Sequence, residues 1–145
     1  MANKYIYESV RGLSQLKQQF KALPDITREA MADAAEETAE QMRAGAVRRV
    51  HVRFGFLRDF IAVKMNRKTG VAVVGIKKGT VALPGGGIAK PQAYARLVEF
   101  GTTHSGDYPF MIPAAEEQRL PYLQRARAAG KVIERNMAAL GARFT

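Results

Sequence analysis

His104, Ser105 and Asp107 are the residues whose types most resemble a nucleophile, its base and an orienting carboxylate. A catalytic triad needs a base that a third group positions in space, whereas neighbours on a tight loop point apart. His51 and His104 are the only histidines, and no acidic residues cluster near either at metal-ligand spacing. We therefore expect neither an enzyme nor a metal site.

A glycine run followed by a lysine is a second chemical candidate, because phosphate-binding loops share that composition. The run comprises Gly85, Gly86 and Gly87, and Lys90 follows it. It lacks the Gly-Lys-Ser/Thr ending of a nucleotide-binding loop and does not open a helix. The chain has no cysteine, which excludes disulfides, thiolate nucleophiles and zinc ribbons. We expect no cofactor and no small-molecule substrate.

Helical periodicity dominates the first third of the chain. Apolar residues recur at steps of three and four in residues 9–23, namely Val10, Leu13, Leu16, Phe20 and Leu23. Pro24 ends this helix, and Asp25 and Thr27 offer N-caps for a second helix over residues 26–49. One small apolar stripe runs along the whole second helix: Ala30, Met31, Ala34, Ala35, Thr38, Met42 and Ala46. Its alanines predict close packing against a neighbouring element.

The pattern becomes strand-like after Gly55. Apolar and polar residues alternate from Leu57 to Met65, residues 66–70 have turn composition, and residues 71–76 are mostly β-branched and apolar. These features predict a β-hairpin. Residues 77–91 are rich in glycine and proline and contain no acid, which predicts a long, exposed, basic loop.

The C-terminal part is predicted to be helical again. Residues 94–100 form a short amphipathic segment that ends at Gly101. A last helix begins at Pro113, since proline is favoured in the first turn, and reaches about residue 140 with a break or kink at Pro121. The sequence predicts an α+β fold in one domain, residues 1–145, with an N-terminal helix and one long helix packed on a small antiparallel sheet.

The net charge of +10 is concentrated in the middle third of the chain. Residues 43–95 contain eleven basic residues and one acid, Asp59, whereas the flanking parts together are neutral. Such a block is typical either of a surface that faces a polyanion or an acidic partner, or of charges dispersed for solubility. No apolar run approaches the roughly 20 residues that cross a bilayer, and residues 1–7 lack a secretory pattern, so we expect folding in the cytosol.

Two motifs in the C-terminal half are more informative than composition. The first reads Tyr94-Ala95-Arg96-Leu97-Val98-Glu99-Phe100-Gly101-Thr102, and the second, after a short loop, reads Pro109-Phe110-Met111-Ile112-Pro113-Ala114. They resemble the hallmark of a family of neck and tail-completion proteins of long-tailed phages. In that family a Tyr-Ala-x-x-Val-Glu-Phe-Gly-Thr run precedes a Pro-Phe-x-x-Pro-Ala turn into the last helix.

An earlier segment supports the resemblance. The family enters its first strand with a Thr-Gly-x-Leu-Arg-x-Ser-Ile pattern. Four residues match this pattern: Gly55, Leu57, Arg58 and Ile61. Phe54 and Phe60 stand where Thr and Ser are usual, and His51 stands where a proline often ends the long helix.

The resemblance implies a structural virion protein of the neck or tail that assembles in the host cytoplasm. It implies a ring of six or twelve subunits between the head-side connector and the tail tube or terminator, through which DNA passes. Combined with the basic middle third, it predicts that four residues line or approach the channel: Arg53, Lys77, Lys78 and Lys90. The alternative is a small, basic, nonspecific DNA-binding protein.

The motif residues also have explanations within one subunit. We expect Gly101 to occupy a turn with positive φ and Pro113 to start the last helix. Phe100 and Phe110 are expected in the core, and Glu99 is expected to be a hydrogen-bonded brace. These roles are compatible with a ring.

Overall fold

The computed structural model describes residues 25–51 and 55–141. In chain order the elements are helix α1 (Asp25–Arg49), the one-turn helix α2 (Phe56–Phe60), strands β1 (Ile61–Asn66), β2 (Val71–Ile76), β3 (Val81–Ala82) and β4 (Ile88–Ala89), helix α3 (Pro91–Phe100) and helix α4 (Met111–Gly141). Long helices combined with small antiparallel sheets confirm the predicted α+β class. The helix predicted at residues 9–23 lies outside the described residues.

Helix α1 begins and ends within one residue of the prediction, and it packs against α4 and also against the β1–β2 hairpin. Small side chains permit both approaches; a Cβ added at Gly45 would lie 3.4 Å from the Cβ of Ala114 in α4. The predicted close packing of the small apolar stripe against a neighbouring element is confirmed at Ala34 and Ala46, which are buried within the subunit. Their burial leaves these two alanines no surface for a neighbouring subunit.

Strands β1 and β2 pair antiparallel, with Ile61 opposite Ile76 and Val63 opposite Val74. The predicted strand start at Leu57 is wrong, because residues 56–60 form a helical turn instead. This turn buries Leu57 completely in the core. It also lets the Arg58 Nη2 donate to the carbonyl of Val50 at 3.0 Å, a contact with the end of α1.

The predicted long loop contains an additional small hairpin. Val81 pairs with Ala89 and Ala82 pairs with Ile88, while Gly85, Gly86 and Gly87 adopt φ values of 94°, 89° and 114° in the turn between them. Only glycine adopts three such angles in succession without strain. We call residues 79–89 the arm. Its base is held where the N–H of Lys77 donates to the carbonyl of Phe60 at 2.8 Å.

Helix α4 begins at Met111, two residues earlier than predicted, and it continues through Pro121. The predicted break is therefore wrong, whereas the kink stays a prediction. α4 is attached to α1 by ion pairs of Arg49 with Glu117 at 2.8 Å and of Arg125 with Glu37 at 3.0 Å.

Within the described residues, no helix is both long enough and apolar enough to span a lipid bilayer.

Candidate functional site

The Glu99 carboxylate connects the end of α3 to the start of α4. Its Oε2 accepts from the N–H groups of Phe110 and Met111 at 2.9 and 3.0 Å, and its Oε1 accepts from the N–H of Ile112 at 2.9 Å. The first four N–H groups of a helix have no partner inside it. Glu99 satisfies three of them and Pro113, the fourth position, has no N–H. The predicted brace at Glu99 is confirmed, and it caps α4 completely.

Gly101 ends α3 and turns the chain into the connecting loop. Its φ is 71°, so the prediction of a positive-φ turn residue is confirmed. A Cβ at this position would lie 3.0 Å from both the backbone nitrogen of Asp107 and the carbonyl oxygen of Ser105. The loop returns to α3 where the N–H of Tyr108 donates to the carbonyl of Val98 at 2.8 Å. The geometry therefore requires glycine both for backbone angle and for space.

The motif residues divide between the core and the surface. Six of them belong to one cluster of buried side chains: Leu57, Ile61, Ala95, Val98, Phe110 and Ala114. Tyr94 is packed against this cluster, with its ring 5.1 Å from that of Phe56. The prediction of a core position is confirmed for Phe110, which is 1% exposed, and wrong for Phe100, which is 67% exposed. Thr102 and Pro109 lie on the exposed connecting loop.

Phe100 is not the only large apolar side chain exposed near the Glu99 brace. Leu97 precedes it by one helical turn on α3, Tyr108 lies in the connecting loop, and Ile112 lies in the first turn of α4. Each of these three is 49–51% exposed. The brace therefore fixes the relative positions of two helix ends that both present apolar side chains to solvent.

The earlier segment of the resemblance, from Gly55 to Ile61, lies between α1 and the hairpin. Gly55 precedes the one-turn helix in a right-handed helical conformation, and Ile61 begins β1. The bond from Arg58 to Val50 places a cation near the C-terminus of α1, where the helix dipole favours it. Sequence analysis missed this role of Arg58. The only sequence signal for this role was an arginine nine residues after Arg49, the last residue of the long helix.

Arginines of the basic middle third are largely used within the subunit. Arg43 pairs with Glu40 at 2.8 Å, and Arg49 pairs with Glu117 across the α1–α4 contact. Arg67 bridges from the hairpin turn to α1, where it donates to Asp33 at 2.9 Å and also to Glu36. The hydrogen bond to Asp33, together with the charge of Glu36, raises the pKa of Arg67 above its usual value. These charges brace the fold and contribute little to an open basic surface.

Three of the four predicted channel residues are described, and all three are exposed. Lys77 and Lys78 follow β2, Lys90 precedes α3, and the Gln92 Nε2 donates to the carbonyl of Ile76 at 3.1 Å. The structure thus brings these lysines to the base of the arm. In the part of the chain that the structure describes, none of the three forms an ion pair. Arg53 lies outside the described residues.

The residues first considered for catalysis lie in the exposed loop that follows Gly101. Thr102 and Ser105 form an isolated bridge, and the N–H of His104 donates to the Thr102 hydroxyl at 3.2 Å. His51 is far from His104 in sequence, and its ring lies 5.9 Å from the ring of Tyr108. Across residues 25–51 and 55–141, no group of three or more His, Cys, Asp or Glu side chains has an arrangement that could hold a metal ion.

A comparison with known protein families gives a match over much of the chain. The family described as "Bacteriophage HK97-gp10, putative tail-component" matches residues 14–101. The matched segment contains α1, the hairpin, the arm and α3, and it ends at Gly101. No curated protein and no solved structure matched the chain. Because the match spans more than half of the 145 residues, this chain belongs to the HK97-gp10-like family of phage tail components.

Proposed function

We propose that this protein is a structural subunit of the phage neck, where the head is joined to the tail. The observation that carries the proposal is the family match over residues 14–101, supported by the two C-terminal motifs. In this proposal residues 1–145 act as one domain in the virion, with no catalytic role. Copies form a ring of six or twelve subunits that contacts the head-side connector on one side and the tail tube or terminator on the other.

The geometry around Glu99 supports a role in protein assembly. Phe100 and Leu97 on α3, and Tyr108 and Ile112 beyond the loop, expose apolar surface around a buried cap. Grouped apolar side chains on a protein surface mark interaction sites more often than isolated ones do. We propose that a neighbouring neck or tail protein covers these side chains in the particle.

We further propose that the lysines at the base of the arm face the DNA channel. Lys77, Lys78 and Lys90 are exposed and are not neutralised by acids of the described residues. A positive lumen screens the DNA phosphates during passage without gripping any sequence. Arg53 belongs to the same proposal on the basis of its sequence position alone. A ring with these side chains on its outer wall would contradict the channel assignment.

The experiment is localisation in particles. An epitope-tagged copy should replace the wild-type chain in the phage or prophage that encodes it. Purified virions are then examined by immunogold electron microscopy with an antibody against the tag. We expect label at the junction of head and tail, in a copy number of six or twelve measured by quantitative mass spectrometry. Absence of the protein from particles with normal tails would contradict the proposal.

The alternative function, nonspecific DNA binding, is favoured by one observation: Lys77, Lys78 and Lys90 are exposed and form no ion pair with any other residue that the structure describes. A free DNA-binding protein should bind duplex DNA with an affinity that falls steeply with salt concentration. A neck subunit should instead be recovered with particles and bind duplex weakly when free. Filter binding at several salt concentrations separates the two functions.

A further inference from the structure

The arm exposes an apolar side chain at its end. Ile88 is 76% exposed, although isoleucine is among the residues most often buried. It stands in the short ladder opposite Ala82, directly after the three glycines of the turn. A Cβ added at Gly85, Gly86 or Gly87 would meet no atom within 4 Å, so the space beside each of these glycines is open.

A shallow apolar groove lies elsewhere on the same chain. It has a volume of about 220 Å³ and lies between the middle of α1, residues 71–74 of β2, and α4. Its lining includes Ala35, Ala39, Met42, Val71, Val74 and Tyr122. This volume is below the roughly 300–1,000 Å³ of small-molecule sites, and it suits one or two aliphatic side chains better.

The arm and the groove are at different ends of the β1–β2 hairpin. The groove includes Val71, where β2 begins, whereas the arm follows Ile76, where β2 ends. At 3.3–3.4 Å per residue, Ile76 lies roughly 17 Å from Val71 and roughly 7 Å from Val74, the lining residue of β2 nearest to the arm. The exposure of Ile88 shows that the arm does not occupy the groove of its own chain.

We propose that the arm of one copy inserts Ile88 into the groove of the next copy. The proposal rests on the proposed ring and names the contact that closes it. A projection and a groove on different parts of one chain form a head-to-tail interface, which produces a closed ring when the rotation divides the circle. The occupant is thus a second copy of this chain.

Charge also favours this occupant. Residues 33–40 of α1, beside the groove, contain Asp33, Glu36, Glu37 and Glu40 and no basic residue. The base of the incoming arm carries three lysines: Lys77, Lys78 and Lys90. The acids already pair with arginines of their own chain, so the lysines would lie beside this network at the rim of the interface, with their open side toward the channel. Such rim charges contribute to orientation and association rate more than to affinity.

Disulfide trapping tests the proposal cleanly, because the chain has no cysteine. Phage particles should be prepared with a variant that combines Ile88→Cys on the arm and Ala35→Cys in the groove, and then oxidised. We expect a ladder of multiples of 16.0 kDa on a non-reducing gel. Ile88→Cys alone should give at most dimers. The matched control places the first cysteine at the exposed Ala93 of α3 and should give no ladder.

The outcomes separate this proposal from the proposed function. Particles that contain the doubly substituted protein and carry normal tails, but give no ladder, would overturn the arm contact while leaving the neck role intact. A disulfide within one chain would also overturn it, because the arm would then reach its own groove. Absence of the wild-type protein from particles would overturn the neck role itself. Ile88→Asp should fold normally, as judged by circular dichroism, and should lower incorporation into particles at least tenfold.

Discussion

The Oε2 of Glu99 accepts a hydrogen bond from the N–H of Phe110 at 2.9 Å, although eleven residues separate them. Both residues are buried, Glu99 at 7% and Phe110 at 1% exposure. The same carboxylate caps the next two N–H groups of α4. The direction in which α4 leaves the loop therefore depends on a side chain of α3, and so does the arrangement of the apolar residues exposed around the cap.

Replacing Glu99 with alanine should destabilise the protein substantially. Three N–H groups at the start of α4 would lose their acceptor in a buried or half-buried setting, and we expect a loss of about 2–4 kcal/mol in the free energy of unfolding. Glu99→Gln should cost about 1–2 kcal/mol, because one amide oxygen remains and the charge at the helix N-terminus is lost. Urea unfolding followed by circular dichroism measures both.

Glu116→Gln provides the control for the Glu99 variants. Glu116 is an exposed glutamate of α4, and its ion pair with Arg119 is long, at 3.9 Å. Its substitution should change the free energy of unfolding by less than about 0.5 kcal/mol. If Glu99→Ala were as mild as Glu116→Gln, the cap would have no energetic role.

Gly101→Ala should be costly and Gly106→Ala should not. At Gly101 an alanine must adopt a φ of 71° and place its Cβ 3.0 Å from backbone atoms of residues 105 and 107. We expect a loss of about 2 kcal/mol or more. A Cβ at Gly106, in the same loop, meets nothing within 4 Å, so its substitution should be nearly neutral. Equal effects of the two variants on thermal unfolding would refute the turn assignment.

The sequence predicted helices best where apolar residues recur on one helical face over many turns, as in α1. It failed at Leu57, because the alternation that indicates a strand also fits one helical turn followed by β1. A five-residue turn is too short for periodicity to distinguish these cases. The break predicted at Pro121 failed because packing of α4 against α1 outweighs the local preference of proline.

Some features of the motif residues were predictable from the sequence and others were not. The turn at Gly101 was predictable, because a glycine that directly follows a helix commonly adopts a positive φ. The brace at Glu99 was predicted for a residue of the motif, but its partners, the first N–H groups of α4, were not. The exposure of Phe100 was not predictable, since the sequence of α3 does not say which neighbour covers which face. The arm was missed because a two-residue ladder leaves almost no periodic signal in a glycine-rich segment.

The two phenylalanines of the motifs should therefore behave differently. Phe110→Ala removes a completely buried ring and should cost about 3–5 kcal/mol of stability. Phe100→Ala should change stability by less than about 0.5 kcal/mol, because the ring is largely exposed. In particles, however, Phe100→Ala should lower incorporation of the protein, since we propose that a partner covers this ring. Normal incorporation of a stable Phe100→Ala variant would exclude that contact.

Replacing Lys77, Lys78 and Lys90 together with alanine should weaken any contact with DNA. Each lysine that neutralises a phosphate contributes about one unit to the slope of log affinity against log salt concentration. In duplex binding, this slope should therefore be smaller for the triple variant, by up to about one unit for each lysine that is replaced. Arg67→Ala is the matched control, because Arg67 already pairs with Asp33 and Glu36. An unchanged slope in the triple variant would remove these lysines from the DNA-facing surface.

The central claim, a structural role where the head meets the tail, is tested most directly by electron microscopy of lysates. The chain should be deleted from the phage or prophage that encodes it and supplied in trans as wild type, Gly101→Val or Gly106→Ala. The account predicts DNA-filled heads without attached tails for the deletion, few tailed particles with Gly101→Val, and restored tailed particles with wild type and Gly106→Ala. Normal tailed particles at wild-type yield from the deletion alone would contradict it.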